Sequence, residues 1–399
     1  MRILIVGKYP PIQGGVSAET YWLAQNLSEL SHKVSILTNA DEVEDESRLS
    51  LDDEDRALLT GYWRRDSIVL RSTKKERRHL YIPQGNPSVS KLVTLGLDLV
   101  AKEKPDVIWA FYLEPYGVAA LLLSMLTGVP YTIRNAGSDI GRLMSSEQLR
   151  GMYAEVFRRA KKVYSTKRHL ESLIALGVDP ENVETPTSSR VPGNVFFPAF
   201  YDEPQRSTEK VVFGVYGKVN EAKGSPQLLK ALALLKKRDV ALQVKALWGG
   251  RHLPSVLELK RDLGLTEEEI EVRPFVAHWK VPEFIRSCHA ILFLENNFSI
   301  AFHGPGIPVE VLSCGRYLVT TEEVAAKARS ANLLTPHNSL VLPRDSLEPE
   351  KLAAVLEDIV EKQPFWEMHR TESAFDATLY SRLSREKIRQ QFERLERSL

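Results

Sequence analysis

Cysteine is nearly missing: Cys288 and Cys314 are the only two in 399 residues. Two thiols make neither a disulfide framework nor a cysteine-built metal cluster, and they suit a reducing cytosol. Buried structural thiols are the expectation for both. An excess of charge of either sign is also missing. Lys and Arg total 53 against 52 Asp and Glu, a net charge of +1, which excludes a global polyanion-binding signature. Long apolar runs are absent. The most apolar stretch, VAALLLSMLTGV (Val118–Val129), falls well short of the ~20 residues that cross a bilayer and reads as a buried helix. The opening MRILIVGKYPP has too short an apolar stretch for a signal peptide. The expected location is the cytoplasm, with or without peripheral contact at the inner face of a membrane. There is no HExxH, no Walker loop, no GxGxxG and no DxD-type acidic pair in a loop where a metal would sit. DDEDR at 52–56 has acidic pairs, but in a segment expected to be exposed. No metal and no cofactor are expected.

What is present is alternation. The length favours two domains, and 43% hydrophobic with 26% charged residues is an ordinary globular balance. RILIVG (Arg2–Gly7) is a near-continuous apolar run, the mark of a buried parallel strand. A helical stretch follows with Trp22, Leu23, Leu27 and Leu30 on one face, and then the strand KVSILTN (Lys33–Asn39). DVIWAF, VPYTIRN and KVYST continue the pattern, which predicts a doubly wound sheet with ligands at the carboxyl ends of its strands. Residues 41–80 break it, opening acidic and closing basic, and read as a surface excursion. The Pro- and Ser-rich segment Ser188–Lys210 marks the domain boundary. A second alternating half then starts at VVFGVYGKVN, with LQVKALWGG, IEVRPFV, AILFLEN and RYLVTT as further strands. The expected domains are 1–195 and 209–370. Phe375, Leu379, Leu383, Ile388, Phe392 and Leu395 stripe a final charged helix over 371–399, which buries one face.

Four segments carry candidate chemistry. PPIQGG (Pro10–Gly15) joins the first strand to the first helix, as a phosphate-approaching loop or a plain tight turn. In GKVNEAKGSPQLLKAL (Gly217–Leu232), Ser225 is the expected helix N-cap and Pro226 the first helical residue. Lys218 and Lys223 then flank a loop entering a helix N-terminus, a cradle for a diphosphate. In AFHGPGIPVEVLSCG (Ala301–Gly315), Pro308 opens a short helix and Gly315 follows its end. Glu310 falls in the first turn. Ile307 stands where a capping box needs Ser or Thr, so the carboxylate either complements the helix dipole or accepts two hydroxyls of a ribose. His303 either meets a sugar hydroxyl or phosphate or is solvated. In RNAGSDIGRLM (Arg134–Met144), Ser138 and Asp139 are either a cap or ligand groups. The basic clusters at 64–79 and 158–169 are a solvated face or a contact for anionic lipid or an anionic acceptor. Nucleic acid is not expected, because no aromatic reading motif accompanies them.

The order and spacing of VGKYPPIQGGVSAETYWLAQNLSELSHKVSILT, YGKVNEAKGSPQLLKALALL, EVRPFVAHWKVPEFIRSCHAILFLEN and PVEVLSCGRYLVTTE resemble the retaining GT-B glycosyltransferases of family 4. The resemblance covers nearly the whole chain. It implies an α/β fold of two Rossmann-like doubly wound domains facing a cleft, with the final helix crossing back to the first. A nucleotide diphosphate sugar, with UDP or GDP, binds mainly to the second domain, and a glycan or lipid-linked acceptor to the first. Gly14 and Gly15 match the glycine loop near the donor phosphate. Lys218, at a position usually Arg, and Lys223 hold the pyrophosphate, and Glu310 binds the ribose. Gly304, Gly306 and Ile307 bring backbone beside the donor, and Asn135 and Asp139 are candidate substrate contacts in the first domain. The resemblance implies retention by same-face attack, without a metal. Phe302 stands where the family has its first glutamate, with His303 beside it. Asn135 and Ala136 stand where a histidine is frequent, and WAF at 109–111 lacks one too. The nucleotide half of the site is thus intact and the sugar half altered. The alternatives are a catalytically impaired nucleotide-sugar-binding protein or partner subunit, and an epimerase. A phosphorylase would need a cofactor-lysine signature that is not found.

Overall fold

Short runs of Val, Ile, Leu and aromatic residues recur along the chain, and the central ones become strands buried along their length. A computed structural model describes residues 1–75, 87–198, 210–299, 304–327, 332–364 and 375–399. The chain divides into two compact units. The first holds Met1–Arg190 and Leu383–Leu399, and the second holds Val191–Ser299 and Gly304–Arg382.

The first unit is built on β1 (Arg2–Gly7), β2 (Lys33–Asp41), β3 (Ile68–Lys74), β4 (Val107–Phe111), β5 (Tyr131–Arg134), β6 (Lys162–Tyr164) and β7 (Val183–Glu184). They form one seven-stranded sheet in the order β3-β2-β1-β4-β5-β6-β7. Every pairing is parallel. The order reverses between β1 and β4, so their carboxyl ends flank the crevice where such sheets take ligands. The second unit repeats the plan with β8 (Val211–Lys218), β9 (Leu242–Gly249), β10 (Ile270–Pro274), β11 (Ala290–Phe293), β12 (Tyr317–Thr321) and β13 (Ser339–Leu342). Its six strands run β10-β9-β8-β11-β12-β13, again all parallel, reversing between β8 and β11. These are the two Rossmann-like domains of a GT-B fold. No helix among the described residues is long and apolar enough to cross a membrane.

Residues 41–75 are not the surface excursion expected of them. Ile68–Lys74 is the edge strand β3, paired with β2 from Val34↔Ile68 to Thr38↔Ser72. Asp53–Leu58 is a helix capped by Asp52, whose carboxylate accepts from Asp55 N–H at 2.7 Å. Tyr9 and Tyr21 donate to the carbonyls of Leu59 and Leu58 at 2.8 and 3.1 Å. Trp22 packs on Tyr62 and Trp63, with ring centroids 5.2 and 5.6 Å apart. The charged flanks of a short edge strand hid its apolar residues. The basic cluster at 158–169 is likewise not one solvated face. Val163 and Tyr164 are buried in β6, and Ser165 and His169 are buried beside them. The apolar helix is Val118–Thr127, closed by Gly128 in the left-handed region at φ 77°. It is buried along one side only, leaving Met125 and Leu126 exposed. Both cysteines are free and buried, and burial pushes their thiols up, to about 11 for Cys288 and about 12 for Cys314.

The segment Val191–Phe197 belongs to the second unit. Phe196 is wholly buried there, Arg286 lies over the Phe197 ring at 4.9 Å, and Gly193 N–H donates to Ser381 Oγ at 2.7 Å. The last helix, Ala377–Ser398, is shared between units, and only its second half follows the expected stripe. Ile388, Phe392 and Leu395 are buried in the first unit, whereas Leu379 and Leu383 are exposed. Phe392 stacks on Trp109 of β4 at 4.8 Å, and Arg385 and Arg394 pair with Glu29 and Glu184 at 3.0 and 3.1 Å. The aromatic contact carries this docking, since exposed ion pairs contribute little. Phe392→Ala is expected to lower stability by about 3–5 kcal/mol, read as a shift of the urea midpoint with the first unit's fluorescence as probe.

Candidate functional site

The crevice of the second sheet is built where β8 and β11 end. β8 finishes on Lys218, and a 3₁₀ turn, Glu221–Lys223, leads to Gly224 and the helix Ser225–Lys237. Gly224 sits at φ 71°, and a Cβ there would stand 2.8 Å from Leu294 Cβ and 2.9 Å from its carbonyl oxygen. Only glycine lets the helix start this close to the end of β11. The expected capping is corrected. Gly224 is the cap residue, Ser225 is already helical and makes no capping bond, and Pro226 follows in the first turn.

This close approach joins Lys223 to Glu295, just beyond β11. Glu295 is completely buried and pairs with both Lys223 and Lys327. Lys327 also pairs with Glu323 at 3.1 Å. The Phe298 ring lies 4.4 Å from the Lys223 ammonium and 5.5 Å from that of Lys327. Burial lowers the Lys223 pKa and Glu295 opposes the shift. Lys218 differs. It is exposed and has no hydrogen bond or ion pair with any described residue. Protein around its stem lowers its pKa as well. A Cβ on Gly250 would sit 3.3 Å from Lys218 Cβ and Cγ, so that glycine leaves room for the stem. The two expected pyrophosphate lysines are therefore unequal: one is free and the other is held by a carboxylate.

Glu310 lies in the first turn of the helix Ile307–Ser313, as its sequence position requires. Gly304 is exposed, Gly306 is the buried cap residue, and Ile307 is half-buried. Glu310 itself is completely buried. Its Oε2 accepts from the Tyr216 hydroxyl at 2.6 Å, and its Oε1 lies 3.1 Å from His278 Nε2. Tyr216 comes from β8 and His278 from the turn after β10, so one carboxylate ties a strand, a turn and its own helix together. His303, and Phe302 before it, lie outside the described residues.

In the first unit, Gly14 stands at φ 120° as the cap residue of the helix Gly15–Glu29. A Cβ on Gly15 would meet Arg190 Nη1 at 2.5 Å. Gly15 thus lets the loop lie against a guanidinium that sequence reading did not single out, whereas a Cβ on Gly14 would meet nothing within 4 Å. Lys8, after β1, lies 4.1 Å from the Tyr112 ring, after β4, across the reversal of strand order. The Tyr112 hydroxyl is 3.1 Å from Ser138 Oγ, and Ser138 makes no capping bond, which removes the cap reading for it. Asp139 is completely buried and accepts from Leu113 N–H at 3.2 Å and Ile140 N–H at 3.0 Å. It joins the loops after β4 and β5 and is closed to a ligand in this conformation. Burial pushes its carboxyl up to about 7, against those hydrogen bonds. Asn135 is buried, with Nδ2 3.2 Å from His169 Nδ1. Below them, Arg134 and Glu19 form a buried pair at 3.3 Å.

Glu295, Lys327, Tyr216 and His278 were missed as site residues. The signal for Glu295 was a carboxylate closing the apolar run AILFLEN. Tyr216 and His278 stand in the segments that carry the family resemblance, at positions with no motif of their own.

Two outcomes follow from these burials. Glu295→Gln leaves two lysines short of their shared counter-charge, and a loss of about 3–5 kcal/mol is expected in urea denaturation. Asp139 binds its proton more tightly folded, at about 7, than unfolded, near the ordinary carboxyl value of 3.8. Its contribution to stability is full below the unfolded value and is lost as pH rises to about 7. The difference in stability between wild type and Asp139→Asn should therefore shift against wild type between pH 4 and 7, measured by melting both proteins across that range.

Residues 14–185 match the family described as glycosyl transferase 4-like domain. No curated protein matches the chain by sequence. Among solved structures, HepE from Anabaena, in complex with UDP and glucose, is 16% identical with a TM-score of 0.67, and 100% of both chains is covered. Sucrose-phosphate synthase from Thermosynechococcus elongatus is 13% identical at a TM-score of 0.65, covering 100% of this chain and 98% of that one. MnaA from S. aureus, in a co-structure with UDP, is 14% identical at 0.61, covering 100% and 97%. At such identities the likeness is one of fold, the GT-B fold, and the likeness to the glycosyl transferase 4-like family is carried by residues 14–185.

Proposed function

We propose that the protein is a glycosyltransferase that moves a hexose from a nucleotide diphosphate sugar, with UDP as the first choice, to a hydroxyl of a glycan or lipid-linked acceptor. The transfer retains the anomeric configuration and uses no metal ion. The observation that carries the reading is the Lys218 ammonium, unpaired among the described residues, at the end of β8 where the chain turns through Lys223 into the helix Ser225–Lys237. UDP in the structures of HepE and MnaA supports the choice of nucleotide.

Cleavage of the sugar–phosphate bond builds negative charge on the departing diphosphate. A fixed ammonium and a helix N-terminus stabilise that charge at the moment it forms. The acceptor oxygen attacks the anomeric carbon on the face the diphosphate leaves. Its proton passes to the departing phosphate oxygen, so one C–O bond forms as one breaks and no protein nucleophile is required. Lys218 serves the leaving group directly. Lys223 serves it from its pairing with Glu295.

A second reading has its own support. Lys223 is already neutralised by Glu295 and Glu310 is enclosed, as suits a nucleotide-sugar binder that has lost catalysis. Incubation with UDP, GDP and ADP sugars, with nucleotide release as the readout, separates the two. Release is expected from one donor class, falling about 100-fold in kcat/KM for Lys218→Ala. Tight nucleotide binding with no release from any donor would establish the second reading.

A further inference from the structure

The resemblance gives Glu310 to the donor ribose, yet its carboxylate has no surface and both of its oxygens have protein partners. A ribose hydroxyl reaches such a group only by displacing Tyr216 or His278. Those two residues are the ones with surface: the His278 side chain is 11% exposed against 0% for Glu310, and Tyr216 is half-buried. Both are held in single orientations. Phe284 packs edge-on against the Tyr216 ring at 6.0 Å, and the wholly buried Phe196 lies against the His278 ring at 5.1 Å. Phe196 is fixed in turn by its neighbours, since Arg286 donates to the Val195 carbonyl at 3.5 Å and lies over Phe197. With one oxygen accepting from the Tyr216 hydroxyl and the other within hydrogen-bond distance of His278 Nε2, the carboxyl group fixes the direction of both side chains. The investment in Glu310 is therefore intelligible as an investment in the two rings.

We propose that Tyr216 and His278 are the residues that meet the nucleoside of the donor, and that Glu310 is a positioning residue acting through them. This rests on the donor site proposed above and changes who does the recognising within it. The nucleoside would lie along the exposed edges of the two rings, at the carboxyl edge of β8 and the turn after β10. The diphosphate would lie beyond β8 toward Lys218. Phe196 would couple the segment Val191–Phe197 to this recognition by seating the His278 ring.

The test compares UDP with inorganic pyrophosphate by calorimetric titration of the full chain. The difference between their affinities isolates the nucleoside. For wild type, UDP should bind at least tenfold tighter than pyrophosphate. His278→Ala and Glu310→Ala should each weaken UDP about tenfold and leave pyrophosphate unchanged. His278→Gln, which keeps an N–H donor for Glu310, should recover part of the loss. Lys218→Ala should weaken both ligands together. Thermal melts of the unliganded variants confirm that each is folded, and Tyr216→Phe supplies a second probe if Glu310→Ala does not fold. UDP affinity unchanged in both His278→Ala and Tyr216→Phe would overturn the inference, as would equal weakening of UDP and pyrophosphate, which marks a merely structural role. A wild type that binds pyrophosphate with no gain from the nucleoside overturns it and leaves the transfer reaction standing. A wild type that binds neither ligand overturns the donor site itself.

Discussion

The second unit turns on one buried carboxylate between two lysines. Glu295 stands at the end of β11, and Lys223 reaches it from the far side of the strand-order reversal. Two charges removed from water are favourable only with close partners, so the geometry around Glu295 has little slack. Gly224 must be glycine for the turn to approach, and Phe298 must lie beside both ammonium groups. Lys327 adds the second cation, and Glu323 balances it. The result is a rigid, nearly neutral floor at the crevice. Lys218 stands apart from it as a cation that a diphosphate can take without breaking any described pair.

The first unit solves the same problem differently. Its reversal between β1 and β4 is spanned by Lys8 over an aromatic ring, and its loops are tied by backbone groups donating to Asp139. A carboxyl that titrates near 7 is a weaker and more pH-dependent tie than an ion pair. The Arg134–Glu19 pair is buried as well, and Glu19 also accepts from Ser188 Oγ and Ser189 N–H at 2.9 and 2.6 Å. Two sheets with one topology thus carry different chemistry at their carboxyl edges.

The strands were legible because parallel strands covered on both faces must be apolar almost throughout. RILIVG and DVIWAF leave no other reading. β3 was lost because an edge strand tolerates charge at its ends, and β7 and β13 because two and four residues carry no period. The helix start at 224–226 was legible in outline and wrong in detail, since both Gly and Ser are credible caps and only the approach to Leu294 decides between them. Lys218, Lys223 and Glu310 were legible as positions. Their states were not, because those depend on partners 72 residues away for Lys223, and 94 and 32 away for Glu310. Spacing along a chain reports which residues reach an edge of the sheet. It does not report which of them arrive already paired.

That distinction bears most on Glu310. A glutamate in the first turn of a helix, after a Gly/Pro-dense loop, has three available uses: complementing the helix dipole, binding a ligand, or organising neighbours. The dipole is worth only about 0.3–1 kcal/mol, too little to offset complete burial of a carboxyl group. Direct binding requires surface, and there is none. Organising Tyr216 and His278 is consistent with the burial, with both hydrogen bonds and with the aromatic packing that fixes each ring. A carboxylate placed one layer behind the surface keeps its field on the site while its desolvation is compensated once, at folding. It is not exchanged each time a donor enters or a nucleotide leaves.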